Sequence, residues 1–210
     1  MPGLIHGLEG DRIRANLERV RERVGTNVEI LAATKYVPPE EMGTLAEAGI
    51  ELVGENRLQD LEAKRERHAD EFTWDFIGNM QSRKVKRIIP LVRLIHSVAT
   101  DSVLEQLGKH GDDSTEVLIE VNVAGEESKG GVVPSDVGAF IERCPVRVAG
   151  LMTMPPFNTD PEASRPAFTR LAELAAEHGL TQLSMGTSQD WEVAVEEGAT
   201  IIRLGTELYA

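Results

Sequence analysis

One lysine, Lys35, stands directly after an apolar run that is typical of a buried strand. The run is Val28–Ala33, and only Thr34 separates it from Lys35. An amine at the end of a buried strand is partly removed from water, which favours its neutral, nucleophilic form. Such an amine can condense with an aldehyde, so Lys35 is a candidate for imine formation. The alternative is a lysine whose ammonium simply reaches solvent.

Small and hydroxyl-bearing residues follow the last two strand-like segments. The stretch Gly186–Ser188 follows the first, and Gly205 and Thr206 follow the second. Glycines let phosphate oxygens approach the backbone, and hydroxyls donate hydrogen bonds. The first loop leads into a helix predicted over Gln189–Glu197, whose N-terminal N–H groups can bind an anion. The pattern predicts a phosphate cradle, unless the two hydroxyl residues only cap that helix.

An arginine, Arg203, lies inside the apolar segment Ile201–Leu204. A buried guanidinium needs a partner, and a strand-end carboxylate such as Glu55 could supply one. The alternative is a hydrogen bond to the pyridine nitrogen of a bound cofactor. Because arginine keeps its proton, that nitrogen would stay unprotonated and the ring would be a poor electron sink. Amine, cradle and arginine together point to pyridoxal 5′-phosphate (PLP), held rather than used for carbanion chemistry.

These residues can meet only if their strands end at one rim. Strand-like segments alternate with helical periodicity along the whole chain, at residues 28–33, 51–55, 74–78, 94–98, 116–123, 146–154, 181–185 and 200–205. This alternation predicts a parallel sheet covered by helices. About eight units favour a closed (β/α)₈ TIM-type barrel over an open doubly wound sheet, with functional groups at the carboxyl ends of the strands. We expect one domain over residues 1–210.

Composition and charge exclude several classes of protein. The 210 residues carry a net charge of −13, which argues against sequence-independent nucleic-acid binding. The basic run Arg83–Arg87 is expected to be a solvated helix face. There is neither a signal-peptide pattern nor an apolar stretch that could cross a membrane, and the single cysteine, Cys144, allows no intrachain disulfide. We expect a cytoplasmic protein, and a monomer because no helix face is left apolar and unused.

Seven stretches, in order, resemble the pyridoxal phosphate homeostasis protein family. They cover nearly the whole chain and are highly specific as a set: LAATKYVPPEEM, LVGENRLQDLEAK, WDFIGNMQSRKVK, IHSVATDSVLEQL, VLIEVNVAGEESKGGV, VAGLMTMPPF and LSMGTSQDWEVAVEEGATIIRLGTELY. The resemblance implies a barrel like the N-terminal domain of alanine racemase, with PLP as a Schiff base on Lys35. It implies these further cofactor contacts: Asn56, Met185, Ser188, Arg203, Gly205 and Thr206.

The resemblance also implies a role in intracellular vitamin B6 homeostasis, with PLP and other B6 vitamers as ligands and PLP-dependent apo-enzymes as recipients. No established reaction comes with it. The sequence departs from the family pattern W-H-F-I-G-H-L-Q, where Asp75 and Asn79 replace the two histidines. Asn79 is expected near the cofactor ring, so any role of a histidine there is in doubt.

A PLP-dependent amino-acid racemase is the alternative function. It would need a second acid/base group on the opposite face of the substrate carbon, which related racemases take from an additional domain. This sequence ends at Ala210, just past the eighth strand. Tyr36 is the only nearby tyrosine that could substitute, and we expect it to pack or to contact the ring. A phosphate-binding barrel enzyme without PLP would explain the cradle but not Lys35. We therefore expect a non-catalytic PLP-binding protein.

Overall fold

The computed structural model describes residues 3–125 and 130–210. In these ranges eight parallel strands pair in chain order, and the last pairs with the first to close a barrel. The strands are β1 (Glu29–Ala33), β2 (Leu52–Glu55), β3 (Thr73–Phe76), β4 (Leu94–Val98), β5 (Glu116–Glu120), β6 (Arg147–Met152), β7 (Gln182–Thr187) and β8 (Ile201–Leu204). The predicted closed barrel is confirmed, and the open doubly wound sheet is excluded.

Helices cover the outside of the barrel. In the described ranges they are α1 (Gly10–Val24), α2 (Met42–Glu47), α3 (Leu58–His68), α4 (Val85–Ile88), α5 (Asp101–His110), α6 (Val137–Arg143), α7 (Arg165–Glu177), α8 (Trp191–Glu196) and α9 (Thr206–Tyr209). Short 3₁₀ turns lead into several of them, as at Pro39–Glu41 and Pro161–Ser164. In the basic run, Arg83, Lys86 and Arg87 are exposed around a buried Val85, which agrees with a solvated helix face.

Side chains alternate between two layers because successive residues of a strand point to opposite faces. The inward layer contains an apolar cluster of Leu31, Leu52, Leu94, Leu118, Ala149, Met152 and Ile201. The outward residues form the larger core between the sheet and the helices, where Trp74 and Phe76 are fully buried. The inward layer is the one that leads to the barrel mouth, so its polar members decide what the mouth can bind.

The two ends of the chain are tied together beside the mouth. Asn16 on α1 donates two hydrogen bonds, to the carbonyl oxygens of Leu208 (3.1 Å) and Ala210 (3.0 Å). These bonds hold α9 against α1 and thereby fix the turn at Gly205 that connects β8 to α9.

No helix among residues 3–125 and 130–210 combines the length and the apolar character needed to cross a membrane. The same ranges contain no group of three or more His, Cys, Asp or Glu side chains that could hold a metal ion.

Candidate functional site

A cavity of about 350 Å³ opens at the carboxyl ends of the strands, where β1 and β8 meet. It is lined by Ile5, Ala33, Lys35, Tyr36, Asn56, Ile77, Met154, Phe157, Thr187, Ser188, Gln189, Arg203, Gly205, Thr206 and Tyr209. Six of the seven residues predicted to contact the cofactor are in this set. The seventh, Met185, follows the inward-pointing Ser184 and therefore packs in the outer core, away from this cavity. Its side chain therefore does not line this cavity.

Lys35 lies two residues beyond the end of β1, at the rim of the cavity. Its Nζ stands 4.9 Å from the centre of the Tyr36 ring, a cation–π contact. The side chain is exposed, so the expected shielding of this amine by a buried strand is wrong. The strand ends at Ala33, and the chain turns outward before Lys35 begins. The amine is therefore accessible to a molecule that enters the mouth.

A buried ion pair fixes the backbone immediately before Lys35. Glu55, at the end of β2, pairs with Lys64 of α3, and both side chains are almost completely buried. The same carboxylate accepts a hydrogen bond from the Thr34 hydroxyl (2.6 Å), and Lys64 donates to the Thr34 carbonyl (2.7 Å). Thr34 is thus held at both its side chain and its main chain, which orients the following lysine.

The residues of the predicted phosphate cradle lie close together at the ends of β7 and β8. The Ser188 hydroxyl oxygen accepts hydrogen bonds from the backbone N–H groups of Gly205 (3.1 Å) and Glu207 (3.2 Å). A side chain built on Gly205 would meet nothing nearer than the Ala33 carbonyl oxygen, at 3.8 Å. The glycine is therefore not required by close packing within the protein, and it leaves the backbone open toward the cavity.

The turn after β7 differs from the predicted helix start. Helix α8 begins at Trp191 rather than Gln189, and Asp190 accepts hydrogen bonds from the Thr187 N–H (2.8 Å) and hydroxyl (3.0 Å). Ser164 also donates to Asp190 (2.7 Å). Thr187 and Ser188 therefore do not cap α8. The helix also does not begin directly after them, as it would have to for its N-terminal N–H groups to bind an anion there. The residues that remain as a candidate cradle are Ser188 and the β8–α9 turn.

Gly186 is required by this turn. It has a φ of +88°, and a side chain there would approach the Ala194 Cβ to 2.6 Å. Only glycine combines that backbone conformation with the close contact to α8.

Arg203 points into the barrel interior and lines the cavity on the side of the barrel core. Its guanidinium donates to the Ser184 hydroxyl (2.6 Å) and the Thr153 carbonyl (3.0 Å), so the alternative of a pairing with Glu55 is wrong. Glu55 cannot reach it because it lies on the opposite face of the sheet, beside Lys64. Burial lowers the pKa of Arg203 to about 10, although the negative charges of Asp190 and Glu120 act in the opposite direction. The guanidinium keeps its proton at neutral pH.

A polar chain continues behind Arg203. Ser184 also hydrogen-bonds His96 Nδ1 (2.9 Å), and His96 Nε2 hydrogen-bonds Asp75 (3.1 Å). His96 is therefore a buried core histidine with both ring nitrogens hydrogen-bonded, and its burial lowers its pKa while Asp75 opposes that change. Asp75 in turn accepts two hydrogen bonds from Arg93 (3.1 and 2.7 Å) at the amino end of the barrel.

The two asparagines near the mouth differ in position. Asn56 lines the cavity, and its Oδ1 is buried without a hydrogen-bond partner among the described residues. An acceptor in that state favours a ligand that brings a donor. Asn79 is exposed and does not line the cavity, so its expected place near a cofactor ring is wrong. Ile77 lines the cavity instead, and Gly78 packs so closely against the Asn56 backbone that a side chain there would collide with it.

Sequence reasoning missed several residues of the mouth. Tyr209 follows Thr206 by one helical turn on α9, a spacing that could have indicated a shared face. Its buried hydroxyl donates to the Ala33 carbonyl (3.3 Å), and burial, followed by the charge of Glu55, raises its pKa. Ile5 carries no local signal; it is placed by a backbone bond to the Tyr36 carbonyl (2.8 Å).

The irregular loop after β6 borders two cavities. Met154 and the strongly exposed Phe157 line the 350 Å³ cavity and a neighbouring one of about 520 Å³, in which Glu120 and Asp190 also lie. Burial raises the pKa of Glu120, and the charge of Arg203 opposes this. The mouth therefore has a cationic side, with Lys35 and Arg203, and an acidic side.

Similar sequences cover nearly the whole chain. The family described as alanine racemase, N-terminal domain, matches residues 8–210. A pyridoxal phosphate homeostasis protein from Aquifex aeolicus is 42% identical over 95% of this chain and 96% of its own. A protein of the same name from Pseudomonas aeruginosa is 35% identical over 94% of this chain and 92% of its own.

Solved structures are also similar to this chain over almost its full length. PipY from Synechococcus elongatus, solved without and with PLP bound, is 29% identical and aligns with TM-scores of 0.85 and 0.82 over 94% of this chain and 100% of PipY. A lysine/ornithine decarboxylase from Vibrio vulnificus aligns with a TM-score of 0.72 at 17% identity, over 96% of this chain and 62% of its own. The second likeness concerns the barrel fold alone.

Proposed function

This chain belongs to the pyridoxal phosphate homeostasis protein family, and we propose that it binds PLP at the barrel mouth and takes part in PLP homeostasis. The observation that carries the proposal is the convergence of an accessible amine, an open backbone cradle and a buried guanidinium on one cavity of about 350 Å³. An aldehyde, a phosphate and a ring nitrogen are the complementary groups of PLP. The bound PLP of PipY, a structure of nearly the same extent, supports the same choice.

We assign the contacts from the cavity lining. Lys35 would hold the cofactor covalently: its amine adds to the aldehyde carbon and one water leaves. Ser188, Gly205 and Thr206 would hold the phosphate, since their polar groups and open backbone meet at one turn. The ring nitrogen would accept a hydrogen bond from Arg203. Asn56 fits the group as well, because its orphan oxygen can accept from the ring hydroxyl or from a bound water.

The role we propose is to hold PLP without catalysis. Bound PLP supplies an electron sink in enzymes, and a protonated Arg203 facing its ring nitrogen weakens that sink. Of the tyrosines that line the cavity, Tyr209 is a poor acid/base group, because its hydroxyl donates to the Ala33 carbonyl and burial raises its pKa. The ring of Tyr36 packs against the Lys35 amine. These features favour storage over the racemase alternative.

A protein that stores PLP needs a source of the cofactor and proteins that receive it. We propose that other B6 vitamers enter the same mouth and that PLP-dependent apo-enzymes receive PLP from a monomeric protein. The free thiol of Cys144 is compatible with a reducing compartment such as the cytoplasm.

Borohydride reduction followed by peptide mass spectrometry tests the attachment. Protein incubated with PLP and then reduced should carry the adduct on the peptide that contains Lys35, and Lys35→Ala should carry none. Lys86→Ala, at an exposed lysine of α4, is the matched control and should react like the wild type. An adduct on another lysine in the wild type would refute the assignment. Alanine racemisation that depends on Lys35 would favour the enzyme instead.

A further inference from the structure

We propose that Ser184, His96 and Asp75 are positioning residues that aim Arg203 at the cofactor through a hydrogen-bonded chain across the barrel interior. The inference rests on the proposed function, because it concerns how this arginine meets the ring nitrogen of PLP. None of the three residues lines the 350 Å³ cavity, so each would act through Arg203.

These hydrogen bonds cross the barrel interior from one wall to the other. Arg203 on β8 donates to Ser184 on β7 (2.6 Å), Ser184 meets His96 on β4 (2.9 Å), and His96 meets Asp75 on β3 (3.1 Å). Strands β4 and β7 do not pair, so the contact between His96 and Ser184 crosses the interior. It connects residues that lie 88 positions apart in the sequence.

The donor and the acceptor can be assigned for every hydrogen bond between Asp75 and Arg203. Asp75 accepts two hydrogen bonds from Arg93, so it is a carboxylate and an acceptor toward His96 as well. His96 must then carry its proton on Nε2. Burial disfavours a second proton on this ring, so Nδ1 is an acceptor and the Ser184 hydroxyl donates to it. The Ser184 oxygen is left to accept from Arg203, so every hydrogen bond from Asp75 to Arg203 has one donor and one acceptor.

The result is a guanidinium that is fixed before any ligand arrives. Ser184 and the Thr153 carbonyl hold two of its nitrogens, which leaves the remaining N–H groups for the cavity that Arg203 lines. A donor that is already oriented loses little freedom on binding. Ser184, His96 and Asp75 are completely buried, a costly arrangement that an apolar core would avoid. Asp75, which departs from the family pattern, provides the anionic end of this chain.

Binding and spectroscopy on four variants test the proposal. Ser184→Ala should raise the dissociation constant for PLP about tenfold, by loss of one hydrogen bond to a charged group, and should shift the absorption maximum of the bound cofactor. Ser184→Thr keeps the hydroxyl and should restore both values. His96→Gln should resemble Ser184→Ala. Leu118→Val changes an interior side chain outside the chain of hydrogen bonds and serves as the control for packing.

Nitrogen-15 NMR of histidine-labelled protein without PLP tests the chain independently. His96 should be the neutral tautomer with its proton on Nε2 at pH 7, and Ser184→Ala should change the Nδ1 shift. A protonated ring, or a proton on Nδ1, would overturn the assignment. If the wild type binds PLP and Ser184→Ala binds it with the same dissociation constant and absorption maximum, the positioning role alone would be overturned. A wild type that binds no PLP would overturn the proposed function along with it.

Discussion

Two buried polar groups support the barrel mouth from opposite faces of the sheet. Inside the barrel, Asp75, His96 and Ser184 connect to Arg203. Outside it, Glu55 and Lys64, with Thr34 between them, lie between β2 and α3 (the outer ion pair). Both are almost free of solvent contact, and both end beside the same cavity.

The two groups differ in where their polar atoms are directed. Within the described residues the outer ion pair is closed: its charges meet each other, the hydroxyl and carbonyl of Thr34, and the backbone N–H of Asn56. The interior chain is open, because it ends on a guanidinium that lines the cavity. A closed group stabilises the fold and fixes a loop, whereas an open one prepares a ligand contact. Changes in the outer ion pair should therefore reduce stability first, and changes in the interior chain should reduce binding first.

The largest effect is expected from Lys64→Met in the outer ion pair. It leaves the Glu55 carboxylate buried without its counter-ion, which costs about 3–5 kcal/mol of unfolding free energy. Urea denaturation followed by circular dichroism measures this. The double variant Glu55→Gln with Lys64→Met should recover part of the loss. A single variant as stable as the wild type would show that the outer ion pair does not act as a structural support.

A smaller effect is expected from Arg93→Gln at the amino end of the interior chain. Asp75 loses two charged donors, but the side chain of Arg93 is 37% exposed, so water can replace part of what is lost. We expect a loss of about 1–3 kcal/mol in the same denaturation experiment. A loss equal to that of Lys64→Met would remove the contrast between the two groups.

The smallest effect is a pH dependence due to His96, whose folded environment includes Asp75, Ser184, Arg203 and Arg93. Burial lowers the pKa of His96 in the folded protein. Below the pKa of an unfolded histidine, about 6.5, the unfolded protein therefore binds a proton at His96 that the folded protein does not bind. Stability from this group is complete above that pH. It decreases as pH falls toward the folded pKa, by up to about 1.4 kcal/mol per pH unit.

The measurement is the unfolding free energy of the wild type and His96→Gln between pH 7.5 and about 5.5, a window set around the unfolded histidine value. Titrating groups away from His96 contribute equally to both proteins, so the difference isolates His96 and the groups in contact with it. Parallel curves would show that burial does not keep this ring neutral.

Local patterns in the sequence determined the barrel and most of its mouth. Apolar runs such as Val28–Ala33 predict strands because a strand buried on both faces must be apolar throughout. The rule that the carboxyl ends of parallel strands meet at one rim then placed Lys35, Ser188 and Gly205 together. The family resemblance was confirmed by relatives that cover almost the full chain.

Only the tertiary structure decided which way individual side chains face and what they contact. Closure of the barrel brought His96 to Ser184, directed Arg203 away from Glu55, and turned Met185 into the outer core. A one-residue step along a strand reverses the face of a side chain, and partners across a barrel are distant in sequence. Neither the register nor the contact across the interior has a local signature, so both had to be read from the folded chain.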